Sequence, residues 1–152
     1  MITMGPAGVV QPNAGTSFDV IGHTATTKVA SDGVISGSFT FELISPPGAG
    51  VPPHVHEHED EMIYIIDGDL DVMIGEELIA ASSGAVLNFA RGTAHAFFNN
   101  SDRRVRTLWC VTPGRSFEHF FGRLAELPPG EPDPAVLVPL FAEYGMTILP
   151  RA

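Results

Sequence analysis

The feature that most constrains the fold of this chain is a set of three histidines and one carboxylate in two distant segments. His54 and His56 are two residues apart, Glu61 follows a short acidic turn, and His95 lies far along the chain. Side chains two apart on a β-strand point to the same face, so His54 and His56 can project into one interior. Only a sheet curled so that remote strands face each other would gather all four, which predicts a small β-barrel.

The four side chains also predict a metal site. Imidazole nitrogen and carboxylate oxygen are common ligands of divalent first-row transition metals, and such a mixed set can leave coordination positions open. Open positions on a metal are where catalysis takes place. We therefore expect one divalent transition metal per chain; Fe, Ni, Co, Mn, Cu and Zn all suit these ligands.

The segments around these residues resemble the paired motifs of the cupin superfamily. The matching positions are Gly48, His54, His56, Glu61 and Gly68 in the first motif and Gly84, Gly92, His95 and Asn99 in the second. Ala90 stands where the family usually has proline, which changes a turn and not a ligand. The resemblance implies an all-β double-stranded β-helix, or jelly-roll barrel, with His54, His56, Glu61 and His95 as metal ligands.

Periodicity supports an all-β barrel followed by two short helices. Apolar or alternating runs predict strands over 39–43, 61–66, 70–74, 78–81, 85–89, 94–99 and 105–112, separated by Gly, Asn, Asp and Ser turns. We expect one domain over 1–152. It comprises an N-terminal arm with edge strands over 1–29, the barrel over 30–112, and C-terminal helices over 113–152.

The two helices have distinct sequence signatures. An amphipathic stripe of Phe117, Phe120, Phe121 and Leu124 predicts a helix that opens near Gly114. The second helix has Asp133 as N-cap, Pro134 at its first position and Gly145 at its end, with Leu137, Leu140, Phe141 and Tyr144 on its buried face. We expect both helices to cover one mouth or side of the barrel.

Charge and composition narrow the range of partners. A net charge of -10, from 8 basic and 18 acidic residues, argues against nucleic acid because few groups could neutralise phosphates. No apolar run is long enough for a membrane-spanning helix, and the N-terminus lacks the pattern of a signal peptide, so we expect no membrane association and a cytoplasmic protein. The single Cys110 cannot form an internal disulfide.

Strand alternation predicts the surroundings of the metal. Ile63 and Ile65 share the inward parity of Glu61, and Phe97 and Asn99 share that of His95, which suggests a mainly apolar pocket for a small apolar or aromatic substrate. The alternative for Ile63 and Ile65 is that they simply fill the core.

Other polar residues near the motifs have less defined roles. His58 is a candidate for a supporting or substrate-binding role. His23 and His119 are interpreted as ordinary hydrogen-bonded residues. We interpret Glu57, Glu59 and Asp60 as a solvated acidic turn, one of whose members could orient a ligand histidine.

The C-terminal residues resemble the quercetin dioxygenase-like branch of the cupins. The similar features are Phe117-Glu118 after Thr112-Pro113-Gly114, then Asp133-Pro134-Ala135, and a last helix ending in Tyr144-Gly145. This resemblance implies a metal-dependent dioxygenase of a small aromatic or enolic compound, with Glu61 as both ligand and catalytic base. The alternatives are an oxygen-independent isomerase, cyclase or decarboxylase, and a non-catalytic protein that binds a small ligand.

The resembled barrels commonly pair, and the outward parity of Met62, Tyr64 and Ile66 predicts apolar surface on the outside of the barrel. We therefore expect a homodimer.

Overall fold

A computed structural model describes residues 7–33 and 37–150 and shows two antiparallel β-sheets followed by two short helices. The strands are β1 (Ser17–Val20), β2 (His23–Val29), β3 (Phe39–Ser45), β4 (Gly50–His56), β5 (Asp60–Asp67), β6 (Asp69–Ile74), β7 (Glu77–Ser82), β8 (Val86–Phe89), β9 (His95–Phe98), β10 (Val105–Thr112) and β11 (Met146–Ile148). One sheet has the order β1-β2-β3-β10-β5-β8 and the other β11-β4-β9-β6-β7. This arrangement confirms the predicted jelly roll.

The predicted strands form because their side chains alternate between the core and the outside. In β3, Phe39, Phe41 and Leu43 are buried while Thr40 and Glu42 between them are not. In β5, Ile63 and Ile65 are buried while Met62 and Tyr64 are exposed. Burying the apolar face of each sheet against the other removes these side chains from water, which is the main drive for the sandwich.

Motif glycines allow the chain to turn between strands. Gly68 has φ 109° between β5 and β6, and a Cβ atom there would lie 2.8 Å from the Val105 side chain. Gly92 has φ 79°, and its backbone N–H donates to the His56 carbonyl oxygen at 2.8 Å. Both positions favour glycine because L-residues with a Cβ rarely adopt a left-handed backbone.

The helices lie where the sequence predicts them. Helix α1 (Arg115–Ala125) follows Gly114 and buries the predicted stripe of Phe117, Phe120, Phe121 and Leu124. Helix α2 (Pro134–Glu143) follows its N-cap Asp133, whose side chain accepts a hydrogen bond from the Ala135 N–H.

None of the helices in the described part of the chain is long and apolar enough to span a membrane.

The C-terminal region also contains a strand that the sequence did not predict. After Gly145 turns the chain with φ 74°, β11 pairs antiparallel with β4, the strand of the histidine pair. Its three residues are too short a pattern to recognise by periodicity alone. The chain therefore does not end in helices only.

At the N-terminal side, β1 and β2 form a hairpin at the edge of the six-stranded sheet, within the range predicted to hold edge strands. The two strands are joined by Ile21 and Gly22, with Val20 paired to His23. Both turn residues have positive φ, 51° and 79°, the signature of a type I′ turn. Ile21 is an unusual occupant, since a β-branched residue in this conformation carries about 1–3 kcal/mol of strain.

Candidate metal centre

The fold brings the four predicted metal ligands together from three strands. His54 and His56 project from β4, and His95 of β9 pairs with His54 across the ladder. Glu61 comes from β5 in the opposite sheet, so the site lies between the two layers. All four side chains are buried, and one ligand atom from each lies within 4.8 Å of the others. The spacing in the sequence thus reflects a real cluster.

Backbone carbonyls fix which nitrogen of two histidines faces the centre. The Nδ1–H of His54 donates to the Pro52 carbonyl oxygen at 2.8 Å, and the Nδ1–H of His95 donates to that of Thr93 at 3.0 Å. A carbonyl oxygen can only accept, so each Nδ1 carries the proton and each ring turns its Nε2 toward the centre.

The third histidine is held by a carboxylate. His56 Nδ1 donates to Glu59 Oε2 at 3.1 Å, and only 2% of Glu59 is exposed. This corrects the interpretation of Glu59 as part of a solvated turn, and the contact agrees with the expectation that one acidic residue of the turn orients a histidine of the cluster. Hydrogen bonds of this kind set ring orientation and increase ligand basicity in metal sites.

The Nε2 atoms of the three histidines and the Glu61 carboxylate face one another at the centre of the cluster, an arrangement that suits a cation. His54 Nε2 and His56 Nε2 are 3.1 Å apart, and His56 Nε2 also contacts Glu61 Oε1. Glu61 Oε1 and His95 Nε2 are buried without a hydrogen-bond partner, although they lie 3.5 Å apart. Buried polar atoms normally have partners, and a divalent ion would satisfy both of these. The residues present therefore fit a cupin-type metal site.

Burial and mutual charge set the protonation of the cluster. Burial, followed by the charge of His95, lowers the pKa of His54 to about 4, so His54 is neutral at pH 7. Burial also opposes the charged form of His56, but Glu61 and Glu59 outweigh it and raise its pKa to about 9. Burial would raise the pKa of Glu61, but His56 and His95 hold it well below the usual range. A metal must therefore displace a proton from His56 but not from Glu61.

The cluster opens on an apolar cavity whose free volume of about 50 Å³ holds a few water molecules. Its walls include Phe41, Phe97 and Trp109 from the strands, and the helices contribute Phe117, Phe120, Phe121, Leu124 and Phe141. Helices α1 and α2 thus cover this side of the site. The cavity suits an apolar group, and a larger ligand requires the helical cover to shift.

The other predicted site residues have different positions. Phe97 lines the cavity, whereas Ile63 and Ile65 are fully buried in the core and do not line it. Asn99 is buried and donates to the carbonyl oxygens of Ser45 and Arg103, which ties down the loop after β9. The His58 side chain is 64% exposed and lies outside the cavity lining.

The sequence did not identify the helix-borne aromatic residues as cavity walls. Their only signal was the amphipathic stripe, which indicates burial but not the partner it is buried against. His23 also lines the cavity, where its Nδ1 lies 2.9 Å from Ser45 Oγ.

Comparison with known proteins supports this description. The cupin domain family model matches residues 41–111. The chain is 29% identical over 84 residues to the tetracenomycin polyketide synthase protein TcmJ of Streptomyces glaucescens, covering 55% of this chain and 56% of TcmJ. It is 27% identical over 104 residues to the polyketide synthase CurC of Streptomyces cyaneus, covering 68% of this chain and 65% of CurC. The matched part thus spans less than two thirds of either relative.

Solved structures share the fold at lower identity. KdgF from Halomonas sp. superposes with a TM-score of 0.63 at 17% identity, over 71% of this chain and 94% of KdgF. The polyketide cyclase RemF from Streptomyces resistomycificus superposes with a TM-score of 0.62 at 17% identity, over 71% of this chain and 80% of RemF. These similarities support the fold, and they do not point specifically to the quercetin dioxygenase-like branch. The match of residues 41–111 to the cupin domain family model, the fold and the buried ligand cluster together support assignment of the chain to the cupin superfamily.

Proposed function

We propose that this protein is a metal-dependent enzyme that cyclises an enolisable, polyketide-derived aromatic intermediate without consuming oxygen. The observation that carries the proposal is the convergence of three Nε2 atoms and one carboxylate on a buried point beside an apolar cavity. The substrate class comes from the similarity to TcmJ and CurC, whose names place them in polyketide synthesis.

In this proposal each part of the site has a separate task. His54, His56, Glu61 and His95 would hold the ion, which supplies a Lewis acid that polarises a substrate oxygen. The aromatic walls from α1 and α2 would pack on a flat ring and exclude water, which strengthens electrostatic interactions inside the site. Glu61 remains ionised at neutral pH because its pKa is held low, and in this proposal its carboxylate would accept the proton of an enol.

A dioxygenase is the second candidate, because the same ligand set and water-excluding cavity also suit a reaction with oxygen. It uses the same residues, with Glu61 again as base, and it differs in one measurable respect. Cyclisation with aromatisation releases water from the substrate, whereas a dioxygenase incorporates both atoms of dioxygen. Binding without turnover would indicate a ligand-binding cupin.

The first experiment tests the metal. Protein purified without chelator should carry about one divalent ion per chain, and His54→Ala, His56→Ala and His95→Ala should each lose most of it. The exposed neighbour in His58→Ala provides the control and should retain the ion. Full metal content in all three ligand variants would refute the site.

The second experiment tests the reaction. Protein reconstituted separately with each candidate metal is incubated with poly-β-ketone surrogates and with flavonols, in air and under anaerobic conditions. Mass spectrometry measures the product masses, and an oxygen electrode measures oxygen consumption. Anaerobic loss of water that disappears in Glu61→Gln, but persists in the exposed control Glu57→Gln, would support the cyclase. Substrate-dependent oxygen uptake would move the assignment to the dioxygenase.

A further inference from the structure

Two spaces in the molecule lie on opposite sides of a thin wall. The inner space is the cavity beside the metal ligands. The outer space is an open groove bordered by residues 46–50, the connector after α1 and helix α2. Among the described residues that line these spaces, Ile21 and Leu124 line both.

Elsewhere a single strand forms the wall, because successive side chains of a β-strand point to opposite faces. Val51 faces the cavity, whereas Gly50 and Pro52 on either side of it border the groove. Phe97 and Phe98 on β9 divide in the same way. The backbone of these strands separates the two spaces there, whereas Ile21 and Leu124 border both spaces.

Ile21 occupies this place against its local preference. The Ile21-Gly22 turn has positive φ at both residues, a geometry that favours Asn, Asp or Gly at the first position. An isoleucine there gains nothing from the turn itself. A residue that violates a local rule is explained by what its side chain does in the folded protein. This side chain packs against the core and borders both the cavity and the groove.

We propose that substrate reaches the metal centre from the outer groove between Ile21 and Leu124, and that these two side chains determine how wide a molecule can enter. The inference that the entering molecule is flat and apolar rests on the proposed function. The inference that a passage exists does not. Leu124 is in the last turn of α1, so a small shift of that helix end widens the passage without disturbing the metal ligands on the strands.

Trp109 allows access to be measured without a metal or a substrate. It is the single tryptophan of the chain, is 6% exposed, and lines the inner cavity. Acrylamide quenching of its fluorescence should increase several-fold in Ile21→Gly and Leu124→Ala and decrease in Leu124→Phe. Val138→Ala changes a residue that lines only the groove. In this variant acrylamide should quench the Trp109 fluorescence to the same extent as in the unmodified protein.

Ile21→Gly keeps the experiment interpretable because glycine accepts the turn geometry without strain. Circular dichroism and thermal melts establish that each variant is folded. Quenching that is the same in Ile21→Gly, Leu124→Ala and the unmodified protein would overturn the proposal. An equal increase in Val138→Ala would do so as well, since it would indicate general loosening.

A second measurement tests selectivity by size. In cobalt-loaded protein, absorbance changes report the association rates of azide and of the flat chelator 4-nitrocatechol. Leu124→Ala should increase the association rate of nitrocatechol several-fold more than that of azide. Leu124→Phe should lower the association rate of nitrocatechol and leave that of azide unchanged. Equal effects on the two ligands would contradict a size-selective passage. If these effects are found but no polyketide surrogate is converted, the passage stands and the proposed reaction fails.

Discussion

Glu59 and Glu61 are two carboxylates, two residues apart, that the folded protein uses differently. Glu61 is the second residue of β5 and faces the centre of the cluster, whereas Glu59 lies in the preceding turn and contacts His56 Nδ1. Both are almost fully buried. The sequence marks Glu61 through its motif position, but it cannot separate Glu59 from its exposed neighbour Glu57. Whether Glu59 or Glu57 is buried depends on which other segments of the folded chain pack against the turn, and the local sequence does not contain this information.

Replacing Glu59 should weaken the metal site without removing a ligand. Glu59→Ala deletes the acceptor of the His56 Nδ1–H, so we expect metal affinity to fall by about 10- to 100-fold. A competitive titration with a coloured chelator measures the change. Glu57→Ala, in which the lost carboxylate is exposed, is the matched control. Unchanged affinity in Glu59→Ala would show that the hydrogen bond does not support the site.

Metal affinity should depend on pH because a proton and the ion compete for His56. The pKa of His56 in the metal-free protein is about 9, whereas the pKa of His54 is about 4 and that of Glu61 is lower than usual. Between pH 6.5 and 8.5 only His56 among these three must therefore lose a proton on binding. The association constant should rise about tenfold per pH unit over this range. Isothermal titration in buffers of different ionisation enthalpy checks this, and an affinity independent of pH would contradict it.

At the scale of elements, β11 is the support that the sequence did not reveal. Its residues Met146 and Ile148 pair with His56 and His54, so this short strand borders the strand that carries the histidine pair. Glu57 N–H donates to the Gly145 carbonyl at 2.9 Å, and Leu149 N–H donates to that of Pro53 at 2.8 Å. A three-residue strand has no periodicity to detect, and β4 itself contains two prolines. The pairing arises only because α2 returns the chain to this edge.

Breaking β11 should therefore affect the metal as well as the fold. Thr147 is exposed and pairs with Val55, between the two histidines. Thr147→Pro removes a backbone donor and should cost at least about 1 kcal/mol of stability. We expect the metal affinity to fall in parallel, whereas Thr147→Val should behave like the unmodified protein. Urea unfolding and metal titration measure both effects. Lost stability with unchanged metal affinity would show that β4 holds its geometry alone.

At the scale of the whole molecule, the outer face of the six-stranded sheet carries an apolar patch. Leu108, Tyr64 and Val86 lie in register across β10, β5 and β8, with Met62 beside them, and all four are exposed. Contiguous apolar surface of this kind commonly marks an interface between proteins. We propose that this face joins two copies of the chain in a closed homodimer, as expected from the outward parity of Met62 and Tyr64.

A charge placed in this patch should weaken the dimer. Tyr64→Lys would bury an unpaired ammonium group at the interface, so we expect the dissociation constant to rise by at least about tenfold. Sedimentation equilibrium over a range of concentrations measures the shift. Val136→Lys, on the exposed side of α2, is the control and should leave association unchanged. A monomer at micromolar concentration in the unmodified protein would refute the proposed dimer.

The sequence by itself determined the barrel, the positions of the two helices and the four members of the buried ligand cluster. These features are encoded locally, by strand and helix periods, capping residues and the spacing of His54, His56 and Glu61. The tertiary structure alone decided the burial of Glu59, the pairing of β11 with β4 and the aromatic cavity wall built from α1 and α2. It also decided that Ile21 and Leu124 line both the cavity and the groove. Each of these depends on contacts between segments far apart in the chain, and such contacts leave no periodic signal in the residues that make them.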